Sequence, residues 1–238
     1  MIEHKETTKG ARNDIIETMF KAGAHFAYSK SRRHPTVAPY IFGTKNKVEI
    51  FDLEKTQDLL KAAKDFVASI AKEGKQILFV GGKNEARDAL KTGALSLGMP
   101  VVAGRWIGGS LSNFSEIKKR IAKLENLTSE REKGELAKYT KKERLLIDRE
   151  IANLDRFFSG LIPMKEMPKA LFVIDPKREK IAVKEAKDMG IPVIALLGSD
   201  CNLKEVEYPI PGNDSSQLSI RFFVNEIVDA YKAGRTAK

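Results

Sequence analysis

Short, mostly apolar runs alternate with longer amphipathic stretches through much of the chain. The runs are QILFVGG, MPVVAG, KALFVID and IPVIALLG. Each is too short for a typical helix, and the β-branched and aromatic residues in these runs are typical of strands buried on both faces. The stretches at 84–98, 178–189 and 216–231 have the spacing of amphipathic helices. This alternation predicts a parallel sheet covered by helices on both faces.

The first quarter of the chain has a different pattern. Residues 1–10 are polar and predict a flexible tail, whereas residues 12–22 have the apolar spacing of a helix. An apolar run ending at Phe42, a Gly-Thr-Lys-Asn turn region and a second apolar run from Val48 predict a β-hairpin. A further helix is predicted at about 54–72.

The segment 111–165 interrupts the alternation of strands and helices. It carries two narrow apolar seams, with residues spaced three and four apart on otherwise charged helices. The seams are Ile117, Ile121 and Leu124, followed by Ile147, Ile151, Leu154 and Phe158. A polar linker separates them. The pattern predicts an antiparallel coiled-coil hairpin at 111–165, inserted into an α/β domain made of 1–110 and 166–238.

The stretch AGRWIGGSLSNF, residues 103–114, joins the predicted sheet to the hairpin. It contains the only tryptophan of the chain, Trp106. We expect the indole to pack at this structural elbow, where Gly108 and Gly109 allow a tight backbone path. Stacking of Trp106 on a ligand is the alternative, and Arg105 is harder to explain by packing. The helix cap is expected from the polar residues that follow, Ser110, Ser112 or Asn113.

Composition narrows the class of partner. The chain has 42 Lys and Arg against 32 Asp and Glu, a formal net charge of +10. This excess favours a polyanion, with nucleic acid first and an anionic membrane surface second. The single cysteine, Cys201, allows no internal disulfide, and the sequence has neither a signal-peptide pattern nor an apolar run that could span a membrane. We therefore expect a cytoplasmic or organelle-matrix protein.

Motifs for catalysis or cofactor binding are incomplete. FVGGKNEA places Lys83 between a strand and a helix, where phosphates often bind, but it lacks the Walker spacing and has Asn84 instead of Ser or Thr. Trp106 likewise interrupts a dinucleotide-binding glycine pattern. The histidines and Cys201 have no metal-ligand spacing. Three carboxylates near predicted strand or loop ends fit loop capping as well as catalysis: Asp52, Asp175 and Asp200. We predict no catalytic residue, cofactor or metal.

A basic cluster, KSRRH at 30–34, lies in an irregular segment that also carries aromatic residues. Arginine forks match phosphate geometry, and irregular loops can follow an RNA backbone. For any single residue, an ordinary solvated side chain is the alternative. The predicted RNA-binding residues are Lys30, Arg32, Arg33, Lys45, Lys47, Lys83 and Arg105.

The order of several segments resembles the bacterial ribosomal protein S-two family. These segments are AGAHF, PYIFGTKNKVEIFDLEKT, ILFVGGK, GRWIGGSLSNF, KALFVID, KEAKDMGIPVIAL and IPGNDSS. The resemblance covers about residues 12–234, and the long helical insert is similar to the bacterial or organellar branch. It implies a flavodoxin-like, three-layer, doubly wound parallel sheet with a projecting coiled-coil hairpin. It also implies binding to small-subunit rRNA and to neighbouring small-subunit proteins, with docking of the S-one protein in many bacteria.

Two loops depart from the residues common in that family. Ala27, Tyr28 and Ser29 stand where Gly-His-Gln is common, and His34 stands where a tryptophan is common. The segment GSDCN, at 198–202, replaces a common Asp-Thr-Asn sequence.

The interpretation is a non-enzymatic structural constituent of the small ribosomal subunit that binds rRNA and supports assembly and translation. The alternative is an enzyme or binding protein that uses a phosphate-bearing ligand at the carboxyl ends of the strands. The incomplete nucleotide motifs, the basic charge balance and the predicted hairpin favour the first.

Overall fold

The structure is a computed structural model that describes residues 14–236, so the predicted tail at 1–10 lies outside the described residues. The α-helices are α1 (14–21), α2 (Leu53–Lys72), α3 (Asn84–Leu97), α4 (Phe114–Glu132), α5 (Lys141–Phe158), α6 (Lys180–Asp188) and α7 (Gln217–Thr236). The strands are β1 (Ile41–Lys45), β2 (Val48–Phe51), β3 (Ile77–Val80), β4 (Val101–Val102), β5 (Ala170–Ile174), β6 (Val193–Leu197) and β7 (Tyr208–Pro211).

Strands β3 to β7 form a parallel sheet in the order β4-β3-β5-β6-β7. Counted within this sheet alone, the order is 2-1-3-4-5, which is the flavodoxin-like arrangement. The four apolar runs of the sequence lie in β3, β4, β5 and β6. The prediction of a parallel sheet flanked by helices is confirmed.

The sheet is covered on both faces because its strands are apolar on both faces. Phe79 and Phe172 point to the side covered by α2, α3 and α7, whereas Leu78 and Val173 point to the opposite side. That opposite side is covered by α6, by the root of the α4–α5 pair and by Val37. Strands β3, β5 and β6 are buried along their whole length, which explains why their sequences do not alternate.

The edge strand β7 was not predicted from the sequence. Its four residues include Pro209 and Pro211, and proline removes a backbone donor that an inner strand needs. At the edge of the sheet this loss is tolerated, and β7 pairs only with β6. Thr56 of α2 donates a hydrogen bond to the Pro211 carbonyl oxygen at 2.8 Å, which fixes the strand against the helix layer.

Strands β1 and β2 form the predicted hairpin, but the position predicted for the turn was wrong. Gly43 and Thr44 belong to β1, and the turn consists of Asn46 and Lys47. Both turn residues have positive φ angles, 51° and 65°. A two-residue turn with this backbone matches the right-handed twist of paired strands.

Helices α4 and α5 pack against each other across a short linker. The buried side chains of their contact are the predicted seam residues Ile117, Ile121, Leu124, Ile151, Leu154 and Phe158, whereas Ile147 is only partly buried. Lys123 of α4 forms an ion pair with Glu150 of α5. A capping box at Thr140 and Glu143 fixes the start of α5. The supercoil and the division into two domains at 111 and 165 stay predictions.

Candidate nucleic-acid interface

The carboxyl ends of the five parallel strands bring several loops to one edge of the sheet, which we call the carboxyl edge. The segment before the β1–β2 hairpin crosses this edge. The Tyr28 amide donates to Ser199 Oγ at 3.0 Å, and the His34 amide donates to the Ser199 carbonyl at 2.8 Å. The Tyr28 hydroxyl also shares a 2.7 Å hydrogen bond with Ser215. The segment 27–34 is therefore in direct contact with the segment 198–202.

A buried ion network lies under these loops. Lys83 Nζ is 2.8 Å from Asp175 Oδ2 and 2.8 Å from Asp214 Oδ2. Burial alone would lower the pKa of the Lys83 ammonium, but the charges of both carboxylates outweigh it and hold that pKa above its usual value. Burial raises the pKa of the Asp214 carboxyl, with Lys83 acting in the opposite direction.

This network changes the role predicted for Lys83. Its side chain is 11% exposed and its ammonium is neutralised by two carboxylates. Freeing it to contact a phosphate would leave Asp175 and Asp214 without their counter-charge, which is costly for buried groups. Lys83 is therefore placed to join three loops of the edge, and we leave it out of the candidate RNA-binding set.

Asp175, Cys201 and Asp214 hold side-chain atoms close enough together to ligate a metal ion. The Lys83 ammonium contacts both carboxylates of this group, so it already supplies the positive charge that an ion would bring. Burial and the nearby carboxylates raise the pKa of the Cys201 thiol. A thiol in this state is a poor nucleophile.

The loop between β3 and α3 resembles a phosphate-binding loop in shape but is occupied by a side chain of the protein. Glu179 Oε1 accepts a 3.0 Å hydrogen bond from the Gly82 amide. A Cβ atom at Gly82 would lie only 2.5 Å from that oxygen, which explains the glycine. The carboxylate takes the place that a phosphate would occupy at such a loop.

The basic cluster at 30–34 forms a short 3-10 turn followed by extended backbone. Lys30 and Arg32 are exposed, and the Arg32 guanidinium lies over the Tyr28 ring, 4.7 Å from its centroid. Arg33 differs, because it pairs with the buried carboxylate of Glu49 at 2.8 Å. The charge of Arg33 is thus largely neutralised by a carboxylate of the protein itself.

Lys45 and Lys47 are exposed at the tip of the β1–β2 hairpin. The Ala27 amide donates to the Glu49 carbonyl, and the Glu49 amide donates to the Tyr28 carbonyl. The hairpin is therefore attached to the segment that carries the basic cluster, and its tip extends the same basic surface.

Arg105 lies at the other end of the carboxyl edge, after β4, and is exposed. It shares a depression of about 380 Å³ with Arg178, which follows β5. Lys177, next to Arg178, is exposed and pairs with Asp200 at 2.8 Å. Sequence reasoning missed Lys177 and Arg178, although the segment DPKRE directly follows a predicted strand and could have indicated them.

The elbow is held by a residue that the sequence did not single out. Trp106 is 6% exposed, and its Nε1 donates to Glu185 of α6 at 3.3 Å. The same buried carboxylate accepts hydrogen bonds from the Gly109 amide at 2.7 Å and the Leu111 amide at 3.0 Å. Gly109 has a φ of 90°, which favours glycine.

The hairpin helix begins at one of the three expected capping residues, but without the side-chain hydrogen bond expected of a cap. The N-cap of α4 is Asn113, and it makes no capping hydrogen bond with its side chain. Ser110 donates its hydroxyl to the Ile107 carbonyl instead. Glu185 satisfies amides just ahead of α4, including the Ser112 amide at 3.4 Å.

Comparison with known proteins identifies the family. The family model described as ribosomal protein S2 matches residues 19–234. The chain belongs to the ribosomal protein S2 family. Its curated relatives include the small ribosomal subunit protein uS2 of Coprothermobacter proteolyticus, which is 40% identical over 223 residues, 94% of this chain and 83% of the relative. The uS2 protein of Geotalea uraniireducens is 40% identical over 95% and 88% of the two chains, and that of Nitratiruptor sp. is 41% identical over 92% and 82%.

Membership of the S2 family confirms the expectation of a ribosomal protein rather than an enzyme. It also agrees with the parallel sheet and its strand order. None of the helices within residues 14–236 combines the length and the apolar character needed to cross a membrane.

Proposed function

We propose that this chain is a structural constituent of the small ribosomal subunit that binds rRNA through the carboxyl edge of its sheet. The observation that carries the proposal is the arrangement of exposed cations in the order of the strands. Arg105 follows β4, Lys177 and Arg178 follow β5, and Arg32 crosses the loops near β6 and β7.

Irregular loops with exposed cations suit an RNA backbone, because they can follow its phosphates without a regular groove. Arg105 and Arg178 form no ion pair with another described residue, so both guanidinium groups are available. The stacking of Arg32 on Tyr28 holds a third guanidinium at the surface. Lys30, Lys45 and Lys47 extend this surface towards the β1–β2 hairpin. Arg33 and Lys83 do not extend this surface, because both form ion pairs with buried carboxylates beneath it.

The alternative of a phosphate-bearing small ligand finds no support at the same edge. The Glu179 carboxylate already accepts the hydrogen bond of the Gly82 amide. The charge of Lys83 is neutralised by Asp175 and Asp214. A small phosphate ligand would have to displace these carboxylates. An extended polyanion can instead contact the exposed arginines above them.

The proposal predicts a specific salt dependence of RNA binding. The variant Arg105→Ala/Arg178→Ala should lower the slope of log affinity against log salt by about one to two units on small-subunit rRNA fragments, since each lost phosphate contact removes about one. The matched control is Lys169→Ala/Lys232→Ala, which removes two exposed cations near the amino ends of the strands. An unchanged slope in the first variant, or an equal change in the control, would contradict the proposal.

Contacts with neighbouring small-subunit proteins, support of subunit assembly and docking of the S-one protein are further parts of the proposed role. They follow from the family resemblance.

A further inference from the structure

A second surface lies beside the edge strand β4 and meets the carboxyl edge at Arg105. It is a groove of about 550 Å³ between α3 and the last turn of α5. We call it the β4 groove. Its floor and walls come from three elements that are distant in sequence, so their combination could not be recognised from any single motif.

The rim of the β4 groove is strongly basic. Arg87 and Lys91 come from α3, Arg105 follows β4, and Arg156 comes from α5. All four are exposed, and none forms an ion pair with a described residue. Asp155 is the single carboxylate of the lining. The charge of the rim therefore fits an acidic partner.

The floor of the groove is apolar. Leu95 is 77% exposed, and Val101 and Phe157 are partly buried beside it. Arg156 lies over the Phe157 ring at 5.3 Å and covers part of it. Leu95 and Val101 are aliphatic and offer no stacking surface to a base, and Arg156 covers part of the one aromatic ring in the lining. The two aliphatic side chains do offer contact area to apolar side chains of a protein.

The edge of β4 is the third feature. β4 pairs only with β3, so its other edge faces the groove. The Ser159–Leu161 turn covers the start of this edge, where Gly160 lies against the Val101 carbonyl. The Val102 carbonyl accepts a hydrogen bond from the Gly81 amide. Ala103 directly follows β4 and lines the groove, and its backbone amide and carbonyl form no hydrogen bond with another described residue.

We propose that the β4 groove binds an extended, acidic segment of another protein with apolar residues at every second position. Alternate residues of a strand point to one side, so one set of side chains contacts Leu95 and Val101. The acidic residues between them pair with Arg87, Lys91 and Arg156. Backbone hydrogen bonds to the edge beyond β4 hold the segment in register, as in other cases of strand addition.

The test uses the purified full-length chain and three fluorescent probes. The first is a synthetic peptide in which Leu alternates with Glu and Asp, the second has Ser in place of each Leu, and the third is a single-stranded oligouridylate. The Leu peptide should bind about tenfold more tightly than the Ser peptide, because burial of a single leucine side chain against Leu95 and Val101 is worth about that factor in affinity. The variant Leu95→Asp should remove this difference.

Control variants separate the contribution of the basic rim to peptide binding from that of the apolar side chains. Arg87→Glu/Lys91→Glu should weaken both peptides, whereas Leu146→Asp, at an exposed leucine elsewhere on α5, should change neither. Equal binding of the two peptides, or a preference of this groove for oligouridylate that depends on Leu95 and Arg87, would overturn the proposal. The assay contains neither rRNA nor ribosomal subunits, so its failure leaves the proposed rRNA binding untouched.

Discussion

Glu179, Glu185 and Asp214 each direct a buried carboxylate at donors in the loops that follow the strands. Glu179 holds the Gly82 amide, Glu185 holds the elbow, and Asp214 holds Lys83. A carboxylate can accept several hydrogen bonds at once, so it can fix a loop that has no regular structure. At the scale of single residues, the basic surface is thus positioned by acidic groups that are not themselves exposed to a partner.

Removal of the Lys83 charge should give a pH-dependent loss of stability. In Lys83→Met, Asp214 stays buried without its counter-charge, so its pKa should rise further above the ordinary value of 3.8. The native state then binds more protons than the unfolded state, and the free energy of unfolding falls as pH rises above that ordinary value. The loss relative to wild type should be about 3–5 kcal/mol at pH 8 and smaller at pH 5.

Urea unfolding at both pH values measures this difference. The double variant Lys83→Met/Asp214→Asn should show a weaker pH dependence, because it removes the more deeply buried of the two carboxylates that lose their counter-charge. Lys21→Met is the surface control, since the exposed Lys21–Glu17 pair should be worth about 0–1 kcal/mol. A loss that is the same at pH 5 and pH 8 would show that the network does not have the charge state described.

The elbow allows a second prediction for a single residue. Glu185→Gln replaces one acceptor oxygen by an NH₂ group that faces backbone donors, leaving buried amides without an acceptor. The free energy of unfolding should fall by about 1–3 kcal/mol, and the amides of Gly109 and Leu111 should exchange faster with solvent. The same substitution at the exposed Glu73 should have little effect. Unchanged exchange at the elbow would mean that Glu185 does not hold it.

At the scale of elements, the apolar runs of the inner strands were sufficient to locate β3, β5 and β6, because a strand buried on both faces has little choice of residue. Strand β7 was missed since its prolines argue against a strand, and only its edge position makes them acceptable. The seam spacing located α4 and α5. The N-cap of α4 is one of the predicted residues, Asn113, but the carboxylate that accepts from the amides ahead of α4 comes from α6, about seventy residues later in the sequence.

The helix pair should open without unfolding the sheet. Leu154→Asp places a charge in the buried contact between α4 and α5, so the amides of both helices should exchange faster with solvent. The amides of β3 and β5 should keep their protection, because the sheet has its own helix layer on the other face. Asp155→Ala, at an exposed neighbouring position, is the control. Equal loss of protection in the sheet would contradict the predicted division at 111 and 165.

At the scale of the whole molecule, the net charge predicted a polyanionic partner but not which surface of the protein would bind it. The basic cluster at 30–34 was visible as a run, yet Arg33 and Lys83 proved to be bound by carboxylates that are far away in sequence. Arg105 and Arg178 are more than seventy residues apart in sequence. They line the same depression only because β4 and β5, the strands they follow, both pair with β3. Such pairings depend on strand order, which local patterns do not contain.

We propose that the cations of the carboxyl edge are required for incorporation of this chain into the small subunit. The most direct measurement is competition for small subunits that lack this protein, between the wild-type chain and Arg32→Glu/Arg105→Glu/Arg178→Glu. The control is Lys72→Glu/Lys169→Glu/Lys232→Glu, which makes the same change in net charge near the opposite edge, and circular dichroism verifies that both variants are folded. We expect the first variant to be outcompeted and the control to compete nearly as well as wild type. Equal incorporation of both folded variants would contradict the claim.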